Sequence, residues 1–200
     1  ELGLAEAHQV LLANDLRNPT MAAKELATLD VLSGGRLEWG MGAGWVPADF
    51  EATGIEMAPG GERVGRLAAS LGVMKAYFGQ GEPRPAQQPR PPLLVGGAQR
   101  GLLSLAAREA EIVGIAPSLM ARSIFGAAPE CTPAEALDRQ IGWLRSAAGE
   151  RFDDLELHVV AFPAVVTEDP AGRAAPVAER YGWSVDDLFD RVSPYHSWAS

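Results

Sequence analysis

Two short stretches in this sequence combine residue types and spacing suited to chemistry: Gly42-Ala43-Gly44-Trp45 and Gly96-Gly97-Ala98-Gln99-Arg100. In the first, Gly42, Ala43 and Gly44 leave the backbone bare enough for a ligand to lie against it, and Trp45 offers a flat aromatic face. Trp45 is either the wall of a planar ligand or a plug, and the sequence leaves both open. In the second, Gly96, Gly97 and Ala98 run into a helical pattern, so N–H groups and the positive end of a helix gather there to hold an anion, with Arg100 adding charge. The plainer alternative is that the glycines only permit a tight strand-to-helix turn. As the second glycine of an anion-holding turn, Gly97 is expected at positive φ. Asn14 and Asp15 close an apolar run, and Asp15 reads as a cap for the next turn.

Gly40-Met41-Gly42-Ala43-Gly44 invites a dinucleotide-binding reading, which needs its third glycine three positions after the second and an acidic residue about twenty positions later. Gly44 comes too early, and Pro47-Ala48-Asp49-Phe50-Glu51 reads as a short helical turn rather than a crossover helix. Arg36, Glu38, Glu62 and Arg63 are expected in surface or inter-helix pairs. His8, His158 and His196 have no metal-ligand spacing, so no metal site is expected. Cys131 stands alone and reads as an inert loop thiol. No catalytic acid or base is identified.

These loops need elements to hold them. Asn18 and Pro19 start a helix with Ala22, Leu26, Leu29 and Leu32 on one stripe, and Ser33-Gly34-Gly35 stop it. A strand follows in which Leu37, Trp39 and Met41 alternate with Glu38, Gly40 and Gly42. Val64, Leu67, Ala68, Leu71, Met74 and Phe78 mark a long amphipathic helix ended by Gly79. Residues 80–92 hold five of the fifteen prolines and read as an extended linker. Strands are expected at residues 8–13, 93–95, 112–115 and 155–162, with a helix over 102–110. Residues 117–129 are loop-like, Met120, Ile124 and Phe125 forming a cover. Thr132-Pro133-Ala134-Glu135 is a capping box, opening a helix with Leu137, Ile141, Leu144 and Ala148 on its stripe up to Gly149. Two helical segments close the chain, the second capped by Ser184. Five apolar strands alternating with helices predict a parallel sheet.

The composition, 200 residues with 47% hydrophobic and 22% charged, suits one soluble domain over residues 1–200. A net charge of -9 with lysine only at Lys24 and Lys75 argues against nucleic acid. No basic leader with an apolar core and no run of about eighteen apolar residues is present, so no membrane partner is expected and the cytoplasm is the default.

KELATLDVLSGGRLEWGMGAGW (residues 24–45) resembles the fourth-strand segment of the luciferase-like monooxygenase superfamily. Phe50-Glu51-Ala52-Thr53-Gly54-Ile55, Gly61-Glu62-Arg63-Val64, Pro91-Pro92-Leu93-Leu94-Val95-Gly96-Gly97 and Leu105-Ala106-Ala107-Arg108-Glu109-Ala110 follow in the family's order. Over residues 10–195 the chain is most similar to the branch that uses coenzyme F420, a deazaflavin. The resemblance implies a (β/α)8 TIM barrel of the bacterial-luciferase type, here incomplete at about five of eight strands. It implies F420 as cofactor, FMN as the alternative, a small-molecule substrate, and a homodimer when the chain is full length. Cofactor contacts would then come from Asn14, where relatives carry a backbone bulge behind the ring, from Gly42, Ala43, Gly44 and Trp45, and from Gly96, Gly97, Ala98 and Arg100 at the phosphate. Some deazaflavin-dependent relatives have a carboxylate at the place of Trp45, which argues against sugar-phosphate dehydrogenation. The implied activity is hydride transfer between a flavin or deazaflavin and a small organic substrate, with FMN-dependent monooxygenation second. The rival reading is a non-catalytic or truncated barrel relative that binds cofactor or a partner without turnover.

Overall fold

The computed structural model describes residues 7–116, 133–159 and 167–186, together with Phe189. Its elements are β1 (Ala7–Ala13), α1 (Pro19–Ser33), β2 (Leu37–Gly42), α2 (Pro47–Thr53), α3 (Gly60–Gln80), β3 (Leu93–Gly97), α4 (Arg100–Glu109), β4 (Ile112–Ile115), α5 (Pro133–Ala148), β5 (Glu156–Val159) and α6 (Pro170–Tyr181). The five strands form one parallel sheet in the order β1-β2-β3-β4-β5. Because the order never reverses, each crossover returns the chain on the same side. Such a sheet is the wall of a (β/α) barrel rather than a doubly wound sheet with helices on both faces.

The two faces of that wall are set by period-2 alternation. Leu37, Trp39, Met41, Leu93, Val95, Val113 and Ile115 turn toward the helices and join Leu26, Leu67, Leu71, Met74, Phe78, Leu103, Ala106 and Leu144 in one core. The opposite, concave face carries the residues between them. Helix ends follow their capping chemistry. The Asn18 side chain accepts from the N–H groups of Thr20 and Met21 above Pro19, and Gly34 ends α1 at φ 69.

Two expectations about helices are corrected. In α1 the buried residues are Ala22, Ala23, Leu26, Ala27 and Asp30, whereas Leu29 and Leu32 are 45% and 78% exposed. Small residues face the neighbours, because α1 packs closely between β2 and α3. Asp30 is buried because Gln87 of the proline-rich linker donates to both of its carboxylate oxygens, from N and Nε2, each at 2.8 Å. Likewise α3 continues through Gly79 to Gln80 and stops at Gly81. Nothing lies within 4 Å of a Cβ built at Gly79, and a glycine inside a helix costs only about 1 kcal/mol, which the buried stripe outweighs. Thr132, the expected cover residues Met120, Ile124 and Phe125, residues 160–162, Cys131, His196 and most of the segment after Ser184 lie outside the described residues.

At the N-terminal ends of β3 and β4 the Arg90 guanidinium meets the Glu111 carboxylate in two bonds of 2.7 and 2.8 Å, and Leu93 N donates to the same carboxylate at 3.0 Å. Burial by itself would raise the Glu111 carboxyl. The bonds from Arg90 and Leu93, with the charges of Arg90 and Arg151, outweigh it and hold the group below its ordinary range. A carboxyl with a lowered folded-state pKa contributes stability that is present above its unfolded value and is lost as pH falls through the folded one. Relative to Glu111→Gln, the unchanged protein is therefore expected to lose melting temperature more steeply in that acid window. Parallel melting curves across it would rule the pair out as a stabilising contact.

Among the described residues no helix is long and apolar enough to cross a membrane.

Candidate functional site

The loops singled out by residue type lie at one edge of the sheet, the C-terminal ends of the strands. Ala13 of β1 pairs with Gly42 of β2, Gly96 of β3 with Gly114 of β4, and Gly114 with His158 of β5. One step beyond the Met41–Val95 pair sets Gly42 beside Gly96. The concave face at this level is thus the row Ala13, Gly42, Gly96, Gly114, His158. One level deeper the row is Gly40, Leu94, Ile112, Glu156. Leu94 Cδ2 would lie 3.7 Å from a Cβ at Gly96 and 3.5 Å from one at Gly114, so Leu94 forms the floor beneath the two glycines. A Cβ at Gly42 would meet nothing within 4 Å. Four small residues therefore leave bare backbone over an apolar floor, a surface that accommodates a flat ring.

Each loop around this hollow is pinned. At the end of β1 Asn14 is buried in a short 3-10 turn, and its Nδ2 donates to Asp15 Oδ1 at 3.0 Å. Asp15 also receives Arg66 from α3 at 3.2 Å; it is the partner of an arginine rather than a cap. The only irregularity in the β1–β2 pairing falls between Ala7 and Val10. Asn14 itself lies one residue past the last pair, Ala13 with Gly42. After β2, Ala43 is buried and Gly44 takes φ +75, where a Cβ would stand 2.9 Å from the Phe50 ring. Gly44 is thus a glycine by necessity on two counts. Arg63 was expected in a charge pair. Instead its Nε donates to the Ala43 carbonyl at 3.1 Å, and its terminal nitrogen to the Ala58 carbonyl. Trp45 is 62% exposed, so it plugs nothing in the described core and remains available as a wall.

The loop after β3 departs from expectation at one residue. Gly97 is not at positive φ, and a Cβ there would lie 2.3 Å from Leu102 Cδ2. Its missing side chain therefore makes room for the first turn of α4, and the ligand side of the loop is carried by Gly96 and Ala98. The start of α4 has no side-chain cap, so among the described residues its first N–H groups remain available, and Arg100 is exposed at the first helical position.

Two functional candidates escaped the sequence reading. His158 and Glu156 share the concave face of β5, opposite Leu157 and Val159, which pack on the core. His158 Nε2 and Glu156 Oε1 are 2.5 Å apart. An imidazole held by a carboxylate can give or take a proton. The signal was present as i, i+2 spacing within a strand. Gln140, the second, lies on α5 within the stripe of Ala136 and Leu144, a polar residue where the pattern calls for an apolar one.

A luciferase-like monooxygenase domain matches residues 10–196. The chain belongs to the luciferase-like monooxygenase family. Among curated relatives, an FMNH(2)-dependent dimethylsulfone monooxygenase of Pseudomonas putida is 29% identical over 107 residues, 46% of this chain and 30% of that protein. Among solved structures, the monooxygenase RslO1 from Streptomyces bottropensis superposes with TM-score 0.64 at 24% identity, over 92% of this chain and 59% of that one. The coenzyme F420-dependent tetrahydromethanopterin reductase of Methanopyrus kandleri gives TM-score 0.63 at 18% identity, over 92% and 64%. At these identities the structural likeness speaks to the fold alone. It makes the five strands part of a luciferase-like TIM barrel, and the chain spans less than two thirds of the length of these relatives.

Proposed function

We propose that this luciferase-like chain forms the cofactor-holding part of a flavin- or F420-dependent oxidoreductase acting on a small organic substrate. The observation that carries the reading is the row Ala13, Gly42, Gly96 and Gly114 at the strand ends, beside an uncapped helix start at α4. The residues fit such a group: bare backbone over Leu94 accepts a planar ring, and the N–H groups at Gln99 to Leu102 with Arg100 accept a phosphate. When bound, a flavin or deazaflavin supplies the redox chemistry. The chain's own residues hold and shield it. Arg63 and Phe50 fix the Ala43–Gly44 turn, Trp45 walls the ring, and the Glu156–His158 pair handles a proton on the concave face. The name of the curated relative favours FMN and that of one solved neighbour F420. Titration of the purified protein with each, followed by absorbance and fluorescence, distinguishes them.

Gly42→Val tests the site. A Cβ at Gly42 has no atom of the described residues within 4 Å, and valine suits a strand end, so the melting temperature is expected to stay close to that of the unchanged protein. Cofactor affinity is expected to fall by at least about tenfold, because the branched side chain fills the ring's place. Undiminished affinity for both FMN and F420, or no binding of either by the unchanged protein, removes the hollow as the cofactor site. The second of those results favours a non-catalytic relative.

A further inference from the structure

Gln140 is 1% exposed, yet it stands on the apolar stripe by which α5 packs on α4. Its Nε2 donates at 2.8 Å to the carbonyl of Ala98, just past β3, and at 3.0 Å to that of Ala116, just past β4. Its Oε1 is buried with no partner among the described residues. Flipping the amide would face an oxygen with two carbonyl oxygens, so the two carbonyls fix its orientation and leave the acceptor orphaned. An unpaired buried acceptor is a cost that leucine or methionine would avoid. The amide N–H groups must therefore do something that packing does not.

What they do follows from peptide geometry. In a planar trans peptide the C=O and the next N–H point in opposite directions. Drawing the Ala98 carbonyl toward α5 turns the Gln99 N–H away from α5, and among the described residues nothing accepts a bond from it. That N–H precedes the uncapped first turn of α4, where further amides lie free. Across the hollow Arg63 treats the Ala43 carbonyl in the same way, ahead of the Gly44 N–H.

We propose that Gln140 is a positioning residue for phosphate binding: by holding the Ala98 carbonyl it aims the Gln99 N–H, with the α4 amides, at the cofactor's phosphate. The inference rests on the cofactor reading above. It goes beyond it by assigning a residue on α5, remote in sequence, to a loop after β3.

The test compares each cofactor with its phosphate-free counterpart, FMN with riboflavin, or F420 with its deazaflavin core, by equilibrium titration of the whole protein and of Gln140→Met. The unchanged protein is expected to prefer the phosphorylated form. Gln140→Met is expected to lose about tenfold in affinity for that form while binding the phosphate-free ring as before. Equal losses for both, or no loss for either, overturn the proposal and make Gln140 a structural clip. If the unchanged protein binds both forms equally, the phosphate seat itself is wrong, a failure distinct from that of Gln140. Should Gln140→Met not fold, Gln140→Glu gives the same answer through pH. A buried carboxyl facing carbonyls stays protonated in acid and donates one bond, then loses it on ionising. Its preference for the phosphorylated ring, divided by that of the unchanged protein, is expected to fall as pH rises, and a flat ratio overturns the proposal.

Discussion

Gly97→Ala is expected to destabilise the protein by about 1–3 kcal/mol through overpacking, and Leu102→Ala in the same chain to recover most of that loss. The Cβ would stand 2.3 Å from Leu102 Cδ2 and 2.9 Å from Cγ, and Leu102 packs against the core, so it cannot simply swing into solvent. From residue types alone, the same substitution would crowd an anion at the backbone. Strand alternation decides between the two. Leu93, Val95 and Gly97 face the helices and Leu94 and Gly96 the hollow. Thermal melts of the two single variants and the double variant measure the coupling. Additive losses would mean that the alanine methyl does not meet Leu102. Cofactor titration on the same samples adds the functional half: the double variant is expected to bind as the unchanged protein does, because no atom has been added on the ligand side.

The elements were legible because their signals are local. Asn18 and Pro19 start α1 and Gly34 ends it as capping chemistry requires, and the alternation of Leu37, Trp39 and Met41 gave β2 its two faces. The strand-end loops were legible as candidate sites for the same reason: glycines at a strand end are visible in one dimension. What was not visible depends on register and on contacts far apart in sequence. A stripe shows that α1 has an apolar face but not which face the neighbours take, and the packing chose alanines over Leu29 and Leu32. That Glu156 and His158 lie across from Ile112 and Gly114 follows from the β4–β5 pairing alone. Arg63 and Gln140 look like surface charge and misplaced polarity until the carbonyls of Ala43, Ala98 and Ala116 are brought to them by the fold.

Two tryptophans six positions apart are expected to answer oppositely when changed to alanine. Trp39 is fully buried, its Nε1 donates to the Pro91 carbonyl at 3.0 Å, and its ring meets Phe78 edge to face at 5.4 Å. Trp39→Ala removes that volume from the contact between β2 and α3 and leaves the Pro91 carbonyl with only its bond from Arg90 at 3.2 Å. The expected loss is about 3–5 kcal/mol, a large part of what holds an ordinary domain together. Trp39→Phe keeps an aromatic contact to Phe78 but not the bond to Pro91, so its loss should be intermediate. Trp45, at 62% exposure, touches little of this core, and Trp45→Ala should stay within about 0.5 kcal/mol in denaturant unfolding. Its effect should appear in cofactor titration instead, as weaker binding of the ring. The five residues between them carry the strand from helix-facing core to open loop, so the two variants separate what folds β2 from what its end presents. A stable Trp39→Ala protein would mean that the helix-facing side of β2 is not the core, and the assignment of its glycines to the concave face would fall with it.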